Sequence, residues 1–295
     1  MSLTIFANFR IDTDERLQRM KDSFESFRLA SIDRWVINAR GEFREAAMAF
    51  LSEQIGGKLI LFSLESGKGW FHDSRQMLVF IQSEYVFFWI EDHICMCGPD
   101  KLNTIIKDMK NSEIEYLGYS WFGMGEFLRE FDGIPGKACD TIIGINYGED
   151  VNALRQQTAL RVIGDRSYVI SACGIVSREV FERILMCKRP LLRRWPKETP
   201  FDFEKRWDDE YILPVRYGIP RFEIFAAIDD DNKHPGSSLF SRGMYPERVS
   251  RAKLLAIREN VGAKKRFMRL RRVLKKLPNV FQYIWRVFKR ISYHF

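Results

Sequence analysis

No apolar run in the chain reaches the roughly 20 residues needed to span a bilayer. The first ten residues also lack a basic segment followed by an apolar one. The 5 cysteines are odd in number and scattered, with a Cys-x-Cys pair but no Cys-x-x-Cys motif. This pattern supports neither a disulfide framework nor a zinc site. We therefore expect a protein with reduced thiols that is made and kept in the cytoplasm.

Acidic residues are missing from the stretch between Lys264 and Phe295, which contains many Lys and Arg residues. The net charge of +8 is therefore concentrated in this stretch, and the rest of the chain is mildly acidic. The overall basic charge thus indicates a partner of the tail and says little about an active site. Composition changes near residue 250, which predicts a globular domain at 1–250 and a basic tail at 251–295.

Apolar side chains in the tail recur at helical spacing, with cations largely off that stripe. They are Phe281, Ile284, Trp285, Phe288, Ile291 and Phe295. This pattern is typical of a helix lying on an anionic membrane, so residues 264–295 are predicted to bind such a surface. Two alternatives remain open: a helix packed on the globular domain, and an arm that binds nucleic acid. The bulky aliphatic residues favour lipid over nucleic acid.

Strand and helix patterns alternate along the globular domain. Strands are predicted at 3–8, 35–38 and 58–64, with helices at 15–29 and 43–54 between them. Further helices are predicted at 99–109, 178–186 and 207–213, and further strands at 114–120, 141–145, 168–171 and 224–228. Such alternation predicts an α/β fold with a mostly parallel central sheet flanked by helices.

The apolar run Tyr85–Ile90 predicts a strand buried on both faces, and it ends abruptly in Glu91, Asp92 and His93. Polar residues at the carboxyl end of such a strand lie where open α/β sheets bind ligands. Acidic oxygens there suit Mg²⁺ or Mn²⁺ and hence a phosphate-bearing substrate. The simpler interpretation is a core strand that meets solvent.

Three other places carry candidate polar groups. Asp73 or Ser74 is predicted to be the N-cap of a helix whose N-terminus could bind an anion. Capping alone would also explain both residues. His234 precedes a Gly-Ser-Ser loop in which Ser237 and Ser238 could bind a diphosphate, and an exposed bystander histidine is the alternative. Asp208 and Asp209 are adjacent carboxylates near the start of a predicted helix. They are candidate functional groups, and the alternative is that they only form the acidic start of a solvated helix.

These motifs together resemble a GT-A fold glycosyltransferase, most like the inverting enzymes that build bacterial surface polysaccharides. Ser74-Arg75-Gln76 lies where the family has an arginine near a helix start, and FFWIEDH where it has its D-x-D motif. ISACGIVSREVF resembles the acceptor-site strand and turn, and RWDDEYIL the helix preceded by an acidic pair. The resemblance spans roughly residues 3–240.

The resemblance implies a nucleotide-binding half at about 1–97 and an acceptor half at about 98–250. It places nucleotide contacts at Asn8, Arg10, Asp73, Arg75, Glu91, Asp92, Ser237 and Ser238, and metal ligands at Asp92, His93 and His234. The catalytic base would be Asp209, with Asp208 as the second choice. The sequence departs from the family where Glu91-Asp92-His93 replaces D-x-D, and where Asn8-Phe9-Arg10 replaces a Pro and a small residue.

The sequence therefore predicts a metal-dependent glycosyltransferase that uses Mn²⁺ or Mg²⁺ and a nucleotide-sugar donor. Its acceptor would be a lipid-linked, lipopolysaccharide or capsule glycan, at the inner face of the cell membrane. A nucleotidyltransferase is the alternative enzyme, but the segment NFRIDTDER lacks the glycine-rich loop expected there. A basic membrane-binding scaffold is the alternative without catalysis.

Overall fold

The computed structural model describes residues 3–119, 136–146, 173–186, 216–230 and 236–245. All of them belong to one compact unit, Met1–Pro246. The strand predicted at 168–171, the helix predicted at 207–213 and the predicted basic tail lie outside the described residues.

Strands and helices alternate through the first half of the chain and become more irregular afterwards. The strands are β1 (Leu3–Arg10), β2 (Arg34–Arg40), β3 (Leu59–Phe62), β4 (Tyr85–Phe88), β5 (His93–Cys95), β6 (Tyr116–Leu117), β7 (Gly136–Ala138), β8 (Ile142–Asn146), β9 (Gly174–Ser177), β10 (Arg216–Pro220) and β11 (Phe225–Ala227). The described α-helices are α1 (Asp14–Phe27), α2 (Arg44–Ile55), α3 (Trp70–Met77), α4 (Pro99–Asn111) and α5 (Arg178–Met186). None of the helices in these described ranges is long and apolar enough to cross a membrane.

Nine of these strands form one sheet in the order β3-β2-β1-β4-β9-β6-β10-β8-β7. The first four are parallel to one another, whereas β9 is antiparallel to β4 and β8 is antiparallel to β10. A small second sheet pairs β5 with β11. The predicted α/β fold, with a central sheet flanked by helices, is confirmed.

The core lies in two apolar layers, one on each face of the sheet. Because side chains alternate along β1, Ile5, Ala7 and Phe9 point to one layer and Phe6 to the other. The layer with Ile5 contains residues of α1, α2 and α4, and the layer with Phe6 contains residues of α3 and α5. The sheet is therefore covered on both faces, as the fully apolar pattern of β4 predicts.

Helix α3 begins earlier than predicted. It starts at Trp70 after Gly69, whose φ of 108° lies in the region that favours glycine. Asp73 and Ser74 are therefore inside the helix, and their prediction as N-caps is wrong. The buried carboxylate of Asp73 instead accepts hydrogen bonds from the backbone N–H and hydroxyl of Ser66, which fixes the preceding loop.

The strand order reverses at the pair β1 and β4. The chain runs outward from β1 to β2 and β3, then returns so that β4 pairs with the opposite side of β1. The segments after β1 and β4 both lead to the layer that contains Ile5. The carboxyl edge of a sheet at such a reversal is where open α/β sheets bind ligands, and we call this edge the crevice. Glu91 and Asp92 follow β4 at this edge.

Candidate active site

The turn that carries Glu91 and Asp92 is fixed on both sides by helix α1. Ser23 accepts a hydrogen bond from the indole N–H of Trp89 at 2.8 Å and donates one to the backbone carbonyl of His93. The backbone N–H of Ile228 binds the carbonyl of Asp92 at 2.8 Å. These buried contacts hold the two carboxylates on a rigid support rather than on a long loop.

Asp92 and His93 form a pair at this turn. His93 Nδ1 lies 2.6 Å from Asp92 Oδ1, and the imidazole packs edge-on against Tyr119. Burial opposes ionisation of Asp92, but the adjacent His93, together with Arg16 and Arg19, outweighs it and lowers the pKa of Asp92. The Asp92 side chain is 37% exposed, against 10% for His93. Within the described part of the chain, Asp92 Oδ2 has no hydrogen-bond partner. Asp92 can therefore offer a charged oxygen to a ligand.

Glu91 has a different environment, although it is the next residue. Its side chain is 8% exposed, and its Oε1 lies 3.6 Å from Nε of Arg16. Burial, followed by the charge of Asp92, raises the pKa of Glu91 to about 7. Because Glu91 is buried beside an arginine and is partly protonated near neutral pH, Asp92 is the better candidate for a cation ligand.

Arg16 bridges the two strands that border the crevice. Its Nη1 donates to the carbonyl of Arg10, the last residue of β1, at 2.7 Å, while its Nε faces Glu91 beyond β4. The Arg16 side chain is 45% exposed, and Nη2 has no partner among the described residues. This arginine was not predicted from the sequence. Its position in the first turn of the helix that follows β1 was the available signal.

The end of β1 adds a second, more exposed set of charges. Arg10 Nε lies 2.8 Å from Asp12, and Arg10 Nη1 lies 3.2 Å from Glu65, which follows β3. Arg44, at the start of α2, approaches the other oxygen of Glu65. Arg10 therefore lies at the carboxyl edge of the parallel strands in a network of half-exposed ion pairs, and its contact with a nucleotide stays a prediction.

Three other predicted nucleotide contacts are held by the protein itself. Asn8 donates to Ser74 Oγ at 2.9 Å, and Asp73 is bonded to Ser66 as described above. Arg75 Nε donates to the carbonyl of Leu185 at 2.6 Å, which joins α3 to α5. In this structure these side chains fix the elements next to the crevice, and their role with a nucleotide stays a prediction.

The loop at Ser237 and Ser238 reaches the same region through β11. The backbone of Phe240 binds the carbonyl of Ile228, whose own N–H binds Asp92. Ser238 Oγ accepts a hydrogen bond from the N–H of Ser241, so it stabilises its own turn. Asp208, Asp209 and His234 lie outside the described residues, and their roles stay predictions.

The described residues contain no group of three or more His, Cys, Asp or Glu side chains that could hold a metal ion. A divalent cation can also be held by one or two carboxylates together with the phosphates of a substrate, which is the usual arrangement for Mg²⁺. The exposed oxygen of Asp92 fits that second arrangement. The described part of the site is therefore compatible with a cation that arrives with a diphosphate.

Comparison with known proteins gives structural similarity only. No family model matches the chain, and no curated protein matches it. TarS from S. aureus has a TM-score of 0.47 and 11% identity, and the match covers 79% of this chain and 38% of TarS. The structure of TarS in complex with UDP-GlcNAc has a TM-score of 0.48 and 9% identity, and the match covers 81% of this chain and 61% of that chain.

The mannosyltransferase PcManGT from Pyrobaculum calidifontis, in complex with GDP-Man and Mn²⁺, gives a TM-score of 0.46 and 12% identity. That match covers 79% of this chain and 59% of the mannosyltransferase. This chain thus spans less than two thirds of each of these solved chains. At such identities and TM-scores below 0.5, the similarities assign no activity to it.

Proposed function

We propose that this protein is a glycosyltransferase that takes its sugar from a nucleotide-sugar donor. The observation that carries the proposal is the position and state of Asp92. Its ionised carboxylate ends in the crevice between β1 and β4, one oxygen is held by His93, and the other is available. A donor diphosphate with a divalent cation is a ligand that fits an available carboxylate beside the half-exposed guanidinium of Arg16.

The chemistry of the donor explains the arrangement. The sugar leaves a nucleoside diphosphate, on which negative charge develops as the glycosidic bond breaks. A bound divalent cation would stabilise that charge as a Lewis acid. Asp92 would hold the cation, His93 would keep the carboxylate oriented, and Arg16 would place a permanent positive charge next to the same phosphates.

The acceptor side of the proposal rests on the sequence. The attacking hydroxyl of a glycan must lose its proton, and a carboxylate on the opposite side of the sugar can accept it, which would invert the anomeric configuration. We assign this role to Asp209, with Asp208 as the alternative. Asp209→Asn should keep donor binding and lower turnover by about 10²- to 10⁴-fold, the range of a lost general base. The assignment moves by one residue if only Asp208→Asn behaves in this way.

The tail would bring the enzyme to an acceptor at the inner face of the membrane. Trp285→Glu with Phe288→Glu should reduce sedimentation with anionic liposomes even at low salt, since each buried side chain contributes ~1.5 to 3 kcal/mol. Gln282→Glu with Tyr293→Glu is a matched control, because at helical spacing it adds the same charge off the apolar stripe. Equal binding by the two double variants would contradict insertion of the stripe.

Calorimetric titration tests the proposal as a whole. UDP, GDP, CMP and dTDP are titrated into the full chain with Mn²⁺ and again with EDTA. We expect one of them to bind, and to bind more tightly with Mn²⁺. Asp92→Asn should weaken that binding by about 100-fold, because a charged ligand is replaced by a neutral one.

Asp100→Asn is the matched control for Asp92, since Asp100 is an exposed carboxylate in the first turn of α4. It should leave the affinity unchanged. The proposal fails if none of the nucleotides binds, or if the two variants weaken binding equally.

A further inference from the structure

Cys95 and Cys97 form a pair of thiols on the strand that follows the candidate site. Their sulfur atoms lie 3.7 Å apart. Cys95 is the buried last residue of β5, whereas Cys97 is partly exposed in a bend. Two side chains at positions i and i+2 of a strand share a face, and the bend at Met96 and Cys97 brings these two sulfurs close together.

The backbone around this pair is anchored on two sides. The N–H of Met96 binds the carbonyl of Ile224 at 2.8 Å, next to the pairing of β5 with β11. The N–H of Cys95 binds Ser26 Oγ of α1 at 2.9 Å. Any contraction between the two cysteines therefore acts on backbone bonds that hold β5 in place.

We propose that Cys95 and Cys97 are an oxidation site that closes to an internal disulfide by exchange with a low-molecular-weight disulfide, and that closure releases the Met96 anchor. The partly exposed Cys97 is accessible to the small disulfide, and Cys95 is already within 3.7 Å to resolve the mixed disulfide. The other described cysteines differ: Cys139 contacts Ser112, and the buried Cys173 contacts the backbone of Ile90.

The exchange is balanced in two steps. The sulfur of Cys97 attacks one sulfur of the small disulfide, so a mixed disulfide forms and the first small thiol leaves. The sulfur of Cys95 then attacks the sulfur of Cys97, which forms the internal bond and expels the second small thiol. Two electrons pass from the cysteines to the small disulfide, and the two cysteine protons end on the two released thiols.

Closure brings the two sulfur atoms together and acts on the backbone between them. A disulfide requires its sulfur atoms to approach to about 2.05 Å and its Cα atoms to lie usually about 4.4 to 6.8 Å apart. The two sulfur atoms must therefore approach by about 1.7 Å from their separation of 3.7 Å. Met96 is the residue between the two cysteines, so the proposal assigns the accompanying backbone shift to Met96. His93 lies two residues before Cys95, so the change occurs next to the candidate site.

Peptide mass and hydrogen exchange test both parts of the proposal. The reduced full chain is incubated with oxidised glutathione, alkylated and digested with trypsin. The peptide 76–101 contains Cys95 and Cys97 and no other cysteine. We expect it to become two hydrogen atoms lighter and to escape alkylation. In the intact oxidised protein, the amide hydrogen of Met96 should exchange at least about tenfold faster, and a reductant should reverse both changes.

Cys139→Ser should behave as the natural chain, and Cys97→Ser should show neither change under the same treatment. Because the reduced and oxidised natural chain are compared directly, the result does not depend on whether a variant folds normally. A peptide that stays reduced, or that carries only a glutathione adduct, overturns the oxidation site. A disulfide that forms while Met96 exchange stays constant overturns the release of the anchor.

Discussion

Two sets of polar side chains occupy the carboxyl end of the parallel strands, and their hydrogen bonds differ. The inner set is buried: it consists of Asn8 on β1, Asn38 on β2 and Ser74 on α3. The outer set lies beyond the strand ends, where Arg16 and Asp92 are partly exposed.

In the inner set, the protein itself supplies the partners. Asn8 and Asn38 are register neighbours, and Asn38 Nδ2 donates to Asn8 Oδ1 at 2.9 Å. Asn38 also exchanges hydrogen bonds with the backbone carbonyl and N–H of Leu64. Asn8 in turn donates to Ser74. In the outer set, Asp92 Oδ2 and Arg16 Nη2 have no partner within the described residues. Polar groups satisfied by the fold stabilise it, whereas those left available can bind a ligand.

Removing the centre of the inner set should give the largest effect. Asn38→Ala deletes one buried and two partly buried hydrogen bonds, and it leaves Asn8 Oδ1 and the Leu64 backbone without this partner. The free energy of unfolding, measured with urea, should fall by about 3 to 5 kcal/mol, since each lost bond contributes about 0.5 to 1.5 kcal/mol and the orphaned buried oxygen of Asn8 adds about 1 to 3 kcal/mol. Asn103→Ala is the control: its side chain accepts one exposed bond from Ser31, and its cost should stay below about 1 kcal/mol. Similar losses for both variants would contradict a structural role for the inner set.

Much of this division follows from the sequence, but not all of it. The apolar run at β4 and the acidic residues after it are local patterns, so the strand and the position of Asp92 were predicted. The other contacts of the site depend on how aromatic rings and helices pack together. Arg16 approaches Glu91 only because α1 packs across the sheet, and no short-range pattern contains a contact between residues 75 positions apart. Asp73 was predicted to be a helix cap because its actual partner, Ser66, lies seven residues earlier in the preceding loop, and the sequence alone does not reveal that contact.

The two acidic neighbours at the turn should respond differently to pH. Burial raises the folded-state pKa of Glu91 to about 7 from an ordinary value of 4.5. Between these values the folded state binds more protons, so the stability of the natural chain falls as pH rises from 4.5 to 7 and is constant above that. The loss is about 3 kcal/mol. Glu91→Gln cannot ionise, and its stability relative to the natural chain should therefore increase between pH 5 and pH 8.

Urea unfolding in EDTA at several pH values measures this difference. Glu25→Gln is the control, because Glu25 is an exposed carboxylate on α1 that pairs with Arg28 at the end of that helix. Its difference from the natural chain should change little with pH. A constant difference for Glu91→Gln as well would show that Glu91 ionises normally and belongs with the exposed outer set.

The smallest effect is expected at Arg16, in the outer set. One side of its guanidinium is held by the carbonyl of Arg10 and by Glu91, and Nη2 is available. Because the side chain is 45% exposed, water weakens its interactions, and stability should change by less than about 1 kcal/mol in Arg16→Gln. Binding of pyrophosphate, and of the nucleoside diphosphate that binds the natural chain, should weaken by about fivefold. Arg28→Gln removes a comparably exposed arginine paired with Glu25 and should not alter binding. Titration calorimetry of both variants and of the natural chain measures this difference. If Arg16→Gln binds pyrophosphate as tightly as the natural chain, Arg16 is a bridge between β1 and β4 with no contact to phosphate.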